Sequence, residues 1–203
     1  MSELSARQEE IIDTAIKLID AGGIQNLTMK NIARQMGFSE PAIYRHFESK
    51  LDLLLAMLAR FKLRSQRHLS RARALEGSGL QKLAALFLEH AGQFDQHPYM
   101  TAVVFSEEAF QDDQRLADAI LAVMNLAHET VVEIIGNAQQ NGEIRQDIPQ
   151  KHLALMLLGT LRLLVKRWRM SGYAFDLMRA CEEMWESLRR MMAVENGIQE
   201  REF

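Results

Sequence analysis

The chain has 203 residues, 48% of them hydrophobic and 25% charged, enough apolar material for one or two compact units with a core. Its formal net charge is −3, so bulk charge offers no case for nucleic-acid binding, which has to come from a motif. A single cysteine, Cys181, excludes an intramolecular disulfide and gives no sign of an oxidising compartment.

The first ten residues are polar and carry Glu3, Glu9 and Glu10. They lack the apolar core of a secretion signal. The stretch 153–165, read as the most apolar, is too short to cross a bilayer. A cytoplasmic protein with no membrane partner is expected. Charge is unevenly spread. Residues 1–50 hold six Lys/Arg against seven Asp/Glu, residues 51–76 six against two, and the remainder twelve against eighteen.

Almost every segment reads as helix, about nine in all, with no strand and no internal repeat: an all-α fold. The first helix spans roughly Ser5 to Ala21. Ser5 and Gln8 have capping-box spacing, Ile11, Ile12, Ala15, Leu18 and Ile19 form an apolar stripe, and Gly22-Gly23 ends it. Two short helices follow, Thr28 to Met36 and Glu40 to Phe47. A longer one runs from Ser49 to about Leu75, with Ser49 and Asp52 as a second capping box. Ser78 and Gln81 start the next, which Pro98 stops after His97. A short helix is expected over Tyr99 to Phe110, and a long one from Asp112-Asp113 to near Gly142. Pro149 opens a helix reaching Ser171, and the last covers about Ala174 to Val194.

The informative segment is Leu27 to Phe47. Two short helices joined by a tight turn are the layout of a helix-turn-helix. Ala33 is small where the second helix must cross closely. Gly37 sits where the turn needs a left-handed residue. Ile32, Met36, Phe38 and Ile43 supply the local core, and Thr28 and Ser39 are natural N-caps. The second helix would present Ser39, Glu40, Pro41, Ala42, Arg45 and His46 to the major groove. Thr28, Tyr44, His46 and Lys50 are placed for phosphates. Lys50, a cation at a helix start, opposes the helix dipole and so suggests a phosphate partner.

The stretch Leu27 to Leu55, with Tyr44-Arg45-His46-Phe47 followed by Ser49-Lys50 and preceded by Gly22-Gly23-Ile24, resembles the tetracycline-repressor (TetR) family. The resemblance implies a DNA-binding domain at 1–50 and a helical effector-binding and dimerisation domain at 51–203. It further implies a homodimer that binds a palindromic double-stranded operator and releases it when a small ligand enters the second domain. Two positions depart from the pattern. Glu40, followed by Pro41, stands where a basic residue is common; it could accept from a cytosine amino group or cap the helix dipole. Arg45 stands where an aromatic is common and could meet a guanine edge or a phosphate.

The second half supplies the remaining candidates. Leu157, Leu161 and Trp168, with Met178, Trp185 and Leu188, recur at helical spacing on helices apolar on more than one face, the pattern of a dimer interface. Phe61, Phe87, His90, Phe94, Phe105, Met124 and His128 combine aromatic and polar groups as a pocket for a hydrophobic or amphipathic effector would. The run Arg60, Lys62, Arg64, Arg67, Arg71, Arg73 fits a solvated face, extra DNA attraction or an anionic ligand. Arg71 lies about 30 Å along the helix from Lys50, which argues against direct DNA contact. No histidine or cysteine spacing suggests zinc, and no nucleophile elbow or phosphate loop suggests an enzyme. No cofactor is expected. The alternatives are an activator or effector-independent regulator, and a helical binding module or enzyme that retains the helix-turn-helix as a relic.

Overall fold

The computed structural model describes residues 4–105 and 113–194. Among them lie nine α-helices: α1 (Ala6–Gly22), α2 (Met29–Met36), α3 (Glu40–Tyr44), α4 (Lys50–Ala74), α5 (Gly79–Gln96), α6 (Tyr99–Val104), α7 (Gln114–Gln140), α8 (Gln150–Met170) and α9 (Leu177–Met192). A 3-10 turn, Ile24–Asn26, precedes α2. The one β-type pairing among the described residues is an isolated antiparallel bridge between Ile144 and Ala193. The fold is all-α, as the periodicity implied. The helix expected over Tyr99 to Phe110 is described to Val104 and a turn at Phe105; its remainder lies outside the described residues.

The caps explain where the helices begin. At α1 the Ser5 hydroxyl accepts from the Gln8 N–H at 3.3 Å, and Gln8 Oε1 accepts from the Ser5 N–H at 3.0 Å. Ser78 and Gln81 repeat the box at α5. Ser49 accepts from the Asp52 N–H at 3.1 Å, but its hydroxyl donates to Asp52 Oδ2, so the reciprocal backbone bond is replaced by a side-chain one. Each satisfies a donor that the first helical turn leaves open.

The chain divides into two compact units, 1–65 with 96–124 and 66–95 with 125–203. In the first, Ile11, Ile12, Ala15 and Ile19 of α1 pack with Leu27, Ile32, Ile43, Leu53 and Leu58 in one core, which Leu116 and Ile120 of α7 complete. In the second, Leu83 and Phe87 of α5, Val131 and Ile135 of α7, Leu157, Leu161 and Val165 of α8, and Leu177, Cys181 and Trp185 of α9 are buried. Phe87 and Trp185 stack with ring centroids 6.0 Å apart.

Helix α7, not the stretch 153–165, is the apolar extreme. It has the length and, at 1.5, the mean hydropathy of a membrane span. One stripe of it is buried: Leu116, Ile120, Val123, Ala127, Val131, Ile134 and Ala138 recur at three- and four-residue spacing, while Leu121 and Met124 are exposed and 28% of the apolar stretch is buried.

Candidate nucleic-acid interface

Helices α2 and α3 form the predicted helix-turn-helix. The Thr28 hydroxyl caps α2 by accepting from the Asn31 N–H at 3.0 Å. Gly37 ends α2 in the left-handed region (φ 71°, ψ 27°), which a residue with a Cβ adopts at a cost. The Phe38 N–H then returns to the Ala33 carbonyl at 2.9 Å, closing the turn. Ile32 and Ile43 have no exposed surface, and Ala33 is 4% exposed. These three set how closely α2 and α3 cross.

Two expectations about this motif need correcting. Phe38 is not part of the local core. It is 41% exposed, and the Arg7 guanidinium lies 5.0 Å from its ring centroid, a cation–π contact. Ser39 occupies the N-cap position of α3 but makes no side-chain capping bond. Its hydroxyl is left to outside partners, while Glu40 sits in the first turn, where the helix dipole favours a carboxylate.

The expected contact residues lie at the surface of the motif. Thr28, Ser39, Glu40, Pro41, Tyr44, Arg45, His46 and Lys50 are exposed, and Ala42 is half-buried. Tyr44 shows 43% of its surface, although its neighbour Ile43 shows none. Arg45 and His46 lie just beyond α3, in the turn leading to Phe47. Lys50 starts α4 and reaches back to the Ile24 carbonyl at 3.4 Å, which brings its ammonium to the turn before α2. Desolvation there lowers its pKa.

Two contacts far apart in sequence fasten α1 to this motif. Gln8 Nε2 donates to the His46 carbonyl at 3.1 Å across 38 positions of sequence. With the Arg7–Phe38 contact, this ties the start of α1 to both ends of α3. Arg7 also pairs with Glu10. Lys30 and Arg34 of α2 are exposed on the same motif and add cations that the motif reading left out.

The expected effector residues divide between the two compact units. Phe61 and Phe105 are buried in the first unit; Phe87 and Phe94 are buried and His90 half-buried in the second. Met124 is 45% exposed and faces outward. His128 is half-buried and its Nε2 lies 3.4 Å from the Lys151 carbonyl. Burial, with a smaller contribution from His68, pushes the His90 imidazole down to about 4. His90 stacks on Phe94 at 5.4 Å. Gln93 Oε1 on the same helix is buried without a hydrogen-bond partner among the described residues, and His68 Nδ1 lies 3.4 Å from Glu89 Oε2, an ion pair when the imidazole is protonated.

The expected dimer stripe needs a larger correction. Leu157, Leu161, Trp168, Trp185 and Leu188 are between 0 and 6% exposed, and Met178 is half-buried. The five buried residues belong to the core of their own unit and present no surface to a partner; Met178 keeps part of its surface. The outward apolar face of α8 is Leu155 (65%), Met156 (47%) and Leu163 (60%), and α9 adds Met191 (57%). Among the described residues no group of three or more His, Cys, Asp or Glu could hold a metal.

A left-handed glycine turn between two short crossed helices, with polar and cationic groups exposed around the second, defines a helix-turn-helix DNA-binding protein. Residues 11–57 match the family model for bacterial regulatory proteins of the tetR family, and residues 47–190 match the model for the YsiA-like protein C-terminal region. The chain belongs to the TetR family: it is a DNA-binding transcriptional regulator and not an enzyme. It is 24% identical to the probable acrEF/envCD operon repressor of Escherichia coli (strain K12), over 97% of this chain and 91% of that protein. Its fold is similar to that of the fatty acid degradation regulator FadR from Bacillus halodurans (TM-score 0.79, 21% identity, 98% of this chain and 99% of that one). It is also similar to the regulator FadR from Bacillus subtilis in complex with stearoyl-CoA (TM-score 0.75, 22% identity, 90% and 98%).

Proposed function

We propose that the protein is a cytoplasmic repressor that binds a two-fold symmetric operator as a homodimer and releases it when a hydrophobic or amphipathic effector binds. The observation that carries the DNA-binding part is the exposed set Ser39, Glu40, Pro41, Tyr44, Arg45 and His46 on a helix fixed from beneath by Ile43. Arg45 and Glu40 are the candidates for base edges; Thr28, Tyr44, His46 and Lys50 are the candidates for phosphates. The uncapped hydroxyl of Ser39 supports its assignment to DNA.

The outer face of α8 and α9, Leu155, Met156, Leu163 and Met191, supports dimerisation, because exposed large apolar residues at helical spacing are costly without a partner. The effector reading rests on Phe87, His90 and Phe94 with the unpartnered Gln93 Oε1: a buried polar atom without a partner calls for one from a ligand or water. Phe61, Phe105, Met124 and His128 remain secondary candidates. The stearoyl-CoA bound to the Bacillus subtilis regulator supports an amphipathic effector class. An effector acts only through its different affinity for the DNA-binding and released arrangements.

A reporter strain carrying the promoter of the regulator's own gene tests the proposal. Repressed transcription in the presence of the protein, relieved by an amphipathic compound, is expected. Raised transcription would make the protein an activator. Unchanged transcription and the absence of a bound DNA sequence would leave the helix-turn-helix a relic.

A further inference from the structure

The start of α1 stands beside the reading helix, and the helix-turn-helix pattern does not account for it. Arg7 and Gln8 precede residues 11–57, which match the family's DNA-binding model, so what they add lies outside the shared domain. Gln8 Nε2 donates to the His46 carbonyl at 3.1 Å, just beyond the C-terminal end of α3. Arg7 meets the other end. Its guanidinium lies 5.0 Å from the ring centroid of Phe38, the residue before Ser39, which holds the N-cap position of α3. The first turn of α1 is thereby fixed relative to α3.

Arg7 is exposed, and its surroundings suit an external anion. Among the described residues only Nη1 donates, to the carboxylate of Glu10 one turn on; Nε and Nη2 are left over. Glu10 is no obstacle. The two side chains are 46% and 56% exposed, and an ion pair so open to water holds its partners weakly. Phe38 matters more. Its ring, 41% exposed, is a flat support for the guanidinium, so less rotamer freedom is lost when an anion binds. An arginine held in this way offers parallel N–H donors to one anion. With α3 in a major groove about 12 Å wide, a cation on the flank of its approach stands at the groove wall, which is sugar and phosphate.

We infer that Arg7 is a DNA-contacting residue, which gives up Glu10 for a backbone phosphate at the edge of the groove that α3 enters. It joins Thr28, Tyr44, His46 and Lys50 from outside the helix-turn-helix. Like them it fixes register and carries no base preference of its own. Its role rests on α3 being the helix that enters the groove.

Fluorescence anisotropy of the full chain on a labelled mixed-sequence duplex, across a potassium chloride series, tests this role. Arg7→Gln is expected to reduce the slope of log affinity against log salt by about 1 and to weaken low-salt binding about tenfold. Arg7→Lys keeps the charge, so it is expected to keep the slope while recovering only part of the affinity. Glu10→Gln frees Arg7 and is expected to tighten binding about twofold to fivefold, a gain that shrinks in the Arg7→Gln background. An unchanged slope in a folded Arg7→Gln variant would overturn the phosphate contact; weaker binding with that slope would make Arg7 a prop for Phe38 instead. An equal gain from Glu10→Gln in both backgrounds would overturn the exchange of Glu10 for phosphate. A wild type that binds no duplex at any salt would overturn the reading of α3 as well. A wild type that binds, with Arg7→Gln equal to it in slope and affinity, would overturn the role of Arg7 alone.

Discussion

Replacing Ile43 by alanine removes the side chain that fastens α3 to the rest of the DNA-binding motif. Helix α3 has five residues, well short of the roughly 12 that an isolated helix needs to be even marginally stable in water. Its helicity is therefore borrowed from packing. Ile43 has no exposed surface and packs in the core with Ile11, Ile32 and Leu53. Truncating a fully buried isoleucine to alanine costs about 2–5 kcal/mol, and to valine about 0.5–1.5 kcal/mol. Against a typical stability of about 5–15 kcal/mol, Ile43→Ala leaves a folded protein whose α3 is loosely docked. Urea denaturation followed by circular dichroism should place the two variants in that order. Gel shifts should show Ile43→Val near wild-type affinity and Ile43→Ala with at least about tenfold weaker binding. An Ile43→Ala protein destabilised by the expected amount but binding DNA with wild-type affinity would refute the idea that packing at Ile43 positions the reading surface.

Three further outcomes follow from the same geometry. Tyr44→Ala and Lys50→Ala should weaken binding to specific and unrelated DNA alike. Lys50→Ala should also reduce the slope of log affinity against log salt by about 1, measured by fluorescence anisotropy across a salt series; a loss confined to one sequence would place these residues on bases. Gln8→Met keeps side-chain length but removes the donor to the His46 carbonyl. It should weaken operator binding by about fivefold, the effect of one lost hydrogen bond, with helicity unchanged by circular dichroism. His90 gives a pH dependence whose sign is fixed: its folded pKa of about 4 lies below the ordinary 6.5, so the unfolded chain binds the proton first. Its contribution to stability is full above about pH 6.5 and is lost as pH falls toward 4, at up to about 1.4 kcal/mol per pH unit. Urea midpoints between pH 7 and 4.5 should fall less steeply in His90→Gln than in the wild type.

Local chemistry was legible in the sequence wherever short-range spacing decides the outcome. The boxes Ser5–Gln8 and Ser78–Gln81, the Thr28 cap and the left-handed Gly37 each depend on residues within a turn of one another. What depends on tertiary placement was not. Periodicity shows that α8 has two apolar faces but not which one turns inward: Leu157 and Leu161 are buried, while Leu155, Met156 and Leu163 are exposed. Phe38 looked like core because it is aromatic beside a turn; in the structure it lies outside, under Arg7. The bond from Gln8 to the His46 carbonyl spans 38 positions, and no local pattern announces it. Phe61 and Phe87 resemble one another as aromatics on adjacent helices, yet they belong to different units.

Sequence-specific reading of DNA by the segment Ser39 to His46 is the central claim. Selection of bound fragments from random double-stranded DNA, using wild-type protein and Arg45→Ala in parallel, measures it. A two-fold symmetric consensus is expected for the wild type, with either relaxed preference at one position per half-site or uniformly weaker recovery in Arg45→Ala. Recovery of fragments with no shared sequence by the wild-type protein would contradict it.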